Sequence, residues 1–385
     1  MSAARGPAKE FPTRLRSVVV KVGSGVLSSL EQAGGPARIR ALADDLAALH
    51  ATGVDLLLVT SGAVAGGMER LGWTERPRAI ADVQAASAIG QGVLMHAYAE
   101  AFRAHGITVA QVLLTHGDLA HRERYLNVRG ALETLRRHRV LPIVNENDVT
   151  SIEELTFGDN DRLAAMLTGV VEADLLVLLT TSDGLHEQDP RLHPGSPRLG
   201  WVDEVTTAVE ALARESSSSI GRGGMASKLH AARIAGRLGV WVVIANGLRP
   251  GLLSRAVAGE DVGTVFVPSG KRVSSRQHWI AYTRRPQGEL QVDAGAMRAL
   301  LQEGKSLLPK GVRAVRGRFV SGDAVKVLGP DGRELARGLV SYGSDEVERI
   351  QGRHSREIES ILGYRYTDEV IHRDDLVLTV DSRGT

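Results

Sequence analysis

The sequence predicts an open, mostly parallel α/β sheet covered by helices on both faces, followed by a small β-rich domain. Three observations carry that expectation. Through about residue 270, short runs rich in Val and Leu alternate with longer stretches at helical spacing. These runs are apolar throughout, as strands of a parallel sheet buried on both faces are. Beyond Glu289 the runs shorten and turn triplets crowd in, at Pro309-Lys310-Gly311, Ser321-Gly322-Asp323 and Pro330-Asp331-Gly332.

The elements follow in order. Ser17–Val22 (SVVVKV) reads as a buried strand that ends in Gly23-Ser24-Gly25. A helix over 36–50 places Ile39, Leu42, Ala43, Leu46 and Leu49 on one face, with Pro36 in its first turn. Gly53 closes that helix, and 54–60 (VDLLLVT) is the next strand, ending in Ser61-Gly62. Further strands are expected at 108–114, 140–144, 175–179 and 240–245, and helices around 80–104, 123–138, 160–172 and 226–237. The expected organisation is a polar leader over 1–16, a catalytic domain over 17–275, a linker over 276–288 and a β-rich domain over 289–385. The serine tract at 216–219 reads as a loop inside the first domain.

Composition narrows the function classes. The 385 residues include no Cys, so a thiolate nucleophile, a disulfide framework and a cysteine metal site are excluded. Lys and Arg number 47 against 45 Asp and Glu, a net charge of +2 that implies no nucleic-acid field over the whole chain. No apolar run approaches the roughly 18 residues a membrane span needs, and the leader lacks the apolar core of a signal peptide. A cytoplasmic protein is the expectation. Glycine, at 43 residues without a repeat, points to turns and to close contacts between backbone and ligand.

In an open parallel sheet, ligands bind at the carboxyl ends of strands, beside helix N-termini. Polar residues gather at several such ends: Lys21-Val22-Gly23-Ser24-Gly25, Thr60-Ser61-Gly62-Ala63, Asn145-Glu146-Asn147-Asp148 and Gly158-Asp159-Asn160-Asp161. A further cluster, Gly221 to Lys228 (GRGGMASK), precedes another helix. Glycines there serve either as ordinary turn residues or as an anion nest of successive N–H groups. The stretch from Gly221 to Ala226 fits G-x-G-x-x-A, but a serine run precedes it where a dinucleotide fold needs a strand. Lys21 is a charge in an otherwise apolar strand, either reaching solvent or set against a phosphoryl group. Lys228 reads as an exposed first-turn residue or as a second such charge. Asn and Asp at 145–148 and 159–161 suit substrate recognition, or turn formation and helix capping. No HExxH or comparable metal spacing occurs, which points towards group transfer.

Taken together, VVVKVGSGVL, LLLVTSGAVAGG, PIVNENDV, FGDNDRLAA and GRGGMASKLHAA resemble the amino acid kinase family, in the branch that acts on glutamate. SLLPKGV with GRFVSGDAVKV resembles a C-terminal PUA module. The resemblance implies ATP-dependent phosphorylation of the γ-carboxylate of L-glutamate, the first step towards proline, with Mg²⁺ arriving on ATP and no protein metal ligand. It implies Lys21, Lys228 and Asp161 as catalytic residues, with Asp161 orienting the two lysines. Ser61, Asp148 and Asn160 match the glutamate-binding positions, Asp148 meeting the α-ammonium. Lys21, Gly23, Ser24, Gly62, Thr180, Thr181, Arg222, Gly223, Gly224, Met225, Ala226, Ser227 and Lys228 match the ATP-binding positions, Gly23, Ser24 and Gly62 supplying backbone donors. A homo-oligomer and inhibition by proline also follow from the family.

Two positions depart from the family pattern. Thr181 stands where relatives carry an acidic residue, and Arg222 where a threonine is common. Rival readings are a kinase for another small acid (N-acetylglutamate, aspartate or carbamate) and an RNA-binding or RNA-modifying protein. An acidic Asp148 favours a free α-ammonium over an acylated nitrogen. Residues 289–385 hold 15 Lys and Arg against 16 Asp and Glu, a net of −1 that speaks against RNA.

Overall fold

A computed structural model describes residues 10–27, 35–150, 160–215, 224–269 and 286–379. The chain divides into two compact units: Met1–Asp118 with Leu126–Arg272, and Leu119–Tyr125 with Val273–Thr385.

The first unit is built on an eight-stranded sheet. Its strands are β1 (Ser17–Val22), β2 (Asp55–Val59), β3 (Val109–Leu114), β4 (Leu141–Glu146), β5 (Leu175–Thr180), β6 (Trp201–Val202), β7 (Trp241–Asn246) and β8 (Gly263–Phe266), in the spatial order β3-β4-β2-β1-β5-β7-β8-β6. The mostly parallel sheet is present: every pairing from β3 to β7 is parallel. Only β8, antiparallel to β7, breaks the pattern, and it carries β6 with it.

The helices are α1 (Gly35–Ala51), α2 (Ala63–Leu71), α3 (Ile80–Arg103), α4 (His116–Ala120), α5 (Arg122–Arg137), α6 (Asn160–Val170), α7 (Thr207–Glu215), α8 (Met225–Arg237) and α9 (Leu252–Val257). Side chains of α1, α3 and α9 join Val18, Val20 and Val22 in one core. Successive strand residues face opposite sides, so Val19 and Lys21 turn towards the face where α6 packs on β1 and α8 on β7. The predicted strands recur within two residues at each end.

Strands β6 and β8 and helices α4, α7 and α9 were not anticipated, and two further differences between the sequence reading and the structure have a physical reason. Residues 109–114 were expected to be buried, yet β3 is an edge strand and half exposed, because only β4 pairs with it. Helix α2 was not anticipated, since Gly66 and Gly67 lower helix propensity. The structure shows why glycine stands there: a Cβ on Gly67 would sit 1.7 Å from the carbonyl oxygen of Ala86 on α3.

The second unit has its own five-stranded sheet. Its strands are β9 (Gly288–Val292), β10 (Val312–Gly317), β11 (Ala324–Leu328), β12 (Glu334–Leu339) and β13 (Leu376–Leu378), ordered β10-β9-β11-β12-β13. Helices α10 (Ala294–Glu303), α11 (Ser344–Ile350) and α12 (Ile358–Leu362) accompany it. Leu290, Val325, Val327, Tyr342, Val347 and Ile371 belong to a separate core.

Candidate active site

Strand β1 lies where the sheet order reverses, with β2 on one side and β5 on the other, and a crevice is expected outside its carboxyl end. Lys21 stands there with its side chain only 6% exposed. A buried ammonium needs a partner. It has one in Asp161, the second residue of α6, whose Oδ1 lies 2.7 Å from Lys21 Nζ. Lys228, on the first turns of α8, places its Nζ 3.1 Å from Asp161 Oδ2, and the Ser227 hydroxyl donates to the same oxygen.

Burial alone would raise the Asp161 carboxyl, which is 1% exposed. The attraction of Lys21 and then Lys228 outweighs it and holds the group well below the usual carboxylate range. One carboxylate is thus clamped between two ammonium groups. The cluster carries an excess positive charge where an anionic ligand can complete it.

Asn160, the first residue of α6, could have served as a helix cap. Instead its Nδ2 lies 2.7 Å from the Thr60 carbonyl oxygen, 2.9 Å from Ser61 Oγ and 3.0 Å from Asn145 Oδ1. Asn145 Nδ2 in turn donates to Gln91 Oε1 of α3 at 2.9 Å. One chain of amides ties the ends of β2 and β4 to α3 and α6. Beyond it, Asp148 Oδ2 accepts from Ser87 Oγ of α3 at 2.5 Å. Gln84 of the same helix donates to the Val149 carbonyl at 3.0 Å. The acidic loop after β4 is pinned at two points.

A cleft of about 380 Å³ opens over these groups. Lys21, Gly23, Ser24, Ser61, Gly62, Asp148, Asn160, Thr180, Thr181, Gly224 and Lys228 all line it. The first turn of α2 also borders it, through Ala63, Val64 and Ala65. Gly62 caps that helix at φ 104°, a left-handed conformation that glycine adopts without strain. Helix N-termini with free N–H groups favour anions.

The structure places some candidate residues otherwise than the sequence suggested. Gly23 was expected to offer a backbone donor, but its N–H already bonds the Leu179 carbonyl at 3.0 Å. It borders the cleft all the same. Met225 and Ala226 open α8 without lining the cleft, and Ser227 turns onto Asp161. Asp159, Arg222 and Gly223 lie outside the described residues. Sequence reasoning did not single out Gln91 or Arg76, both of which the fold brings here. Gln91 had no signal beyond being a polar residue inside an apolar helix. Among the described residues, no group of three His, Asp or Glu is arranged to hold a metal ion.

Comparisons with known proteins give the family of each part of the chain. Residues 16–246 match the amino acid kinase family, and residues 288–362 match the PUA domain. The chain is 49% identical over 366 residues to the glutamate 5-kinase of Geobacter sulfurreducens, covering 95% of this chain and 98% of that one. It is 48% identical over 370 residues to the glutamate 5-kinase of Geobacter sp. strain M21, covering 96% and 99%. The glutamate 5-kinase of Chromohalobacter salexigens is 45% identical over 378 residues, covering 98% and 100%.

Proposed function

The chain belongs to the amino acid kinase family and carries a C-terminal PUA domain, and on that premise we infer its reaction and the residues that perform it. It transfers the γ-phosphoryl group of ATP to the side-chain carboxylate of L-glutamate, giving L-glutamyl 5-phosphate, the first step of proline biosynthesis. The observation that carries the site assignment is the buried Lys21–Asp161–Lys228 cluster, with two cations on one carboxylate.

Phosphoryl transfer needs positioning and charge stabilisation more than covalent help. A glutamate γ-carboxylate oxygen forms a bond to the γ-phosphorus as the bond from that phosphorus to the bridging oxygen of ADP breaks. Lys21 and Lys228 face the oxygens on which negative charge shifts. Asp161 holds both ammoniums in place before the substrate arrives, so no reorganisation is needed during transfer. The attacking carboxylate is ionised at neutral pH, and no side chain has to remove a proton.

At the other end, Ser61 and Asn160 orient the substrate and Asp148 meets its α-ammonium. The phosphates of ATP fit between the lysines, the first turn of α2 and the Ser24 backbone. Thr180, Thr181 and Gly224 border the nucleotide side. Asp161 is engaged by both lysines, and Mg²⁺ arriving on ATP would supply charge neutralisation of the polyphosphate.

The same reading extends to a cytoplasmic location, a homo-oligomer and inhibition by proline, all supported by the family resemblance. Among the described residues, no helix is long and apolar enough to cross a membrane. The net charge of −1 over residues 289–385 favours a PUA unit without an RNA partner.

An assay with ATP, Mg²⁺, hydroxylamine and one candidate acid at a time tests the reaction directly, because hydroxylamine traps acyl phosphates. Hydroxamate with L-glutamate but not with aspartate or N-acetylglutamate is expected. ADP release without hydroxamate would rule out a carboxylate acceptor.

A further inference from the structure

Three cationic side chains line the described part of the cleft: Lys21, Lys228 and Arg76. Two of them are committed to the phosphoryl end, each within 3.1 Å of Asp161. The third stands elsewhere in the sequence. Arg76 belongs to the connection between α2 and α3, immediately before Pro77, and it is exposed at the cleft.

The substrate reading makes demands on that region. With the γ-carboxylate at the lysines, the α-carbon of glutamate lies at the opposite end, carrying an ammonium and a second carboxylate. Asp148 lines the cleft, its carboxylate oriented by Ser87 of α3. An anionic group suits the ammonium and leaves the α-carboxylate without a counter-charge.

Because one cleft is lined by both an acidic and a third cationic side chain, we propose that Arg76 recognises the α-carboxylate of glutamate, so that Asp148 and Arg76 together read the zwitterionic end of the substrate. The inference rests on glutamate being the acceptor. A guanidinium presents two parallel N–H donors in the geometry of a carboxylate, which a neutral amide cannot match with its single oxygen. Arg76 is therefore a specificity-determining residue remote from the transferring phosphoryl group, acting on substrate affinity rather than on the chemical step.

The test compares two substrates in two proteins by the hydroxamate assay. One substrate is L-glutamate; the other is its α-carboxamide, which keeps the α-ammonium and the γ-carboxylate. Wild-type enzyme is expected to favour glutamate in kcat/KM. Arg76→Ala should raise the KM for glutamate about 10-fold, the scale for an exposed charge-assisted pair, with little change in kcat or in the KM for ATP. It should leave the α-carboxamide nearly unaffected, so that most of the preference disappears. Arg76→Lys should recover part of it, because the charge remains while the fork is lost.

Equal losses on both substrates, or no loss on either, would overturn the assignment of Arg76. Wild-type enzyme that gives hydroxamate with neither substrate would instead overturn the acceptor reading, and the inference with it. Thermal unfolding of each variant separates a folding defect from a binding defect.

Discussion

Lys21, Lys228 and Asp161 form one electrostatic unit, and changing any of them changes the others. Lys21→Ala and Lys228→Ala should each lower turnover by about 10²-fold or more, the scale for losing one donor to a charged transition state. Turnover like wild type in either variant would remove that lysine from the mechanism. Asp161→Asn leaves two buried ammoniums without an anion and should cost about 3–5 kcal/mol of stability. Because the Asp161 pKa is depressed in the folded state, its contribution is fully present above the ordinary value of 3.8 and is lost as pH falls towards the folded value. Denaturation of wild type and Asp161→Asn from pH 7 down to 2 checks this: the gap should stay constant to about pH 5 and narrow below pH 4. A gap that widens on acidification would contradict the assignment. Lys21 was legible in the sequence because a charge inside an apolar strand demands an explanation. Its partner was not legible from spacing, since 140 residues separate Lys21 from Asp161. Only the family resemblance joined them beforehand.

At the scale of elements, the crossing of α2 and α3 sets the wall of the cleft. A Cβ on Gly90 of α3 would lie 1.7 Å from the Ala63 carbonyl oxygen, at the first residue of α2. Ala63 lines the cleft and follows the Gly62 cap, so this contact positions the helix end that borders the cleft. Gly90→Ala is expected to cost roughly 1–3 kcal/mol through overpacking, and to raise the KM for ATP or glutamate by displacing that turn. Gly92→Ala, two residues on and with open space around its Cα, is the control. It should stabilise the protein by roughly 0.5–1 kcal/mol and leave kinetics unchanged. Urea denaturation and steady-state kinetics on both variants decide the matter, and equal behaviour would remove the close approach as a determinant of the site. Helix α2 escaped sequence reading for this same reason. The glycines that permit the crossing weaken the local helical signal, and the benefit lies in a neighbouring helix.

At the scale of the whole molecule, the two units have separate sheets and separate hydrophobic cores. The described residues that line the cleft all belong to the first unit. Nucleotide binding should therefore stabilise that unit alone. At about 100 times its dissociation constant, ATP adds roughly 2.7 kcal/mol to the state that binds it. Calorimetry of the full chain should show one transition moving upwards with added ATP and one that stays. Equal movement of both would show that the units unfold as one.

The sequence by itself determined the layered α/β fold, the β-rich second domain and the strand ends where chemistry gathers. Those properties are local: apolar runs, helical spacing and turn residues each report on a few neighbouring positions. It also supplied candidate site residues, through motifs whose order resembles a known family. The tertiary structure decided what each residue does with its neighbours. It turned the Asn160 amide from a possible cap into a link between β2, β4 and α6, and it used the Gly23 N–H within the sheet. It also brought Gln91 into contact with Asn145 and placed Arg76 at the cleft. Such roles depend on long-range packing, which converts residues distant in the chain into partners a few ångströms apart.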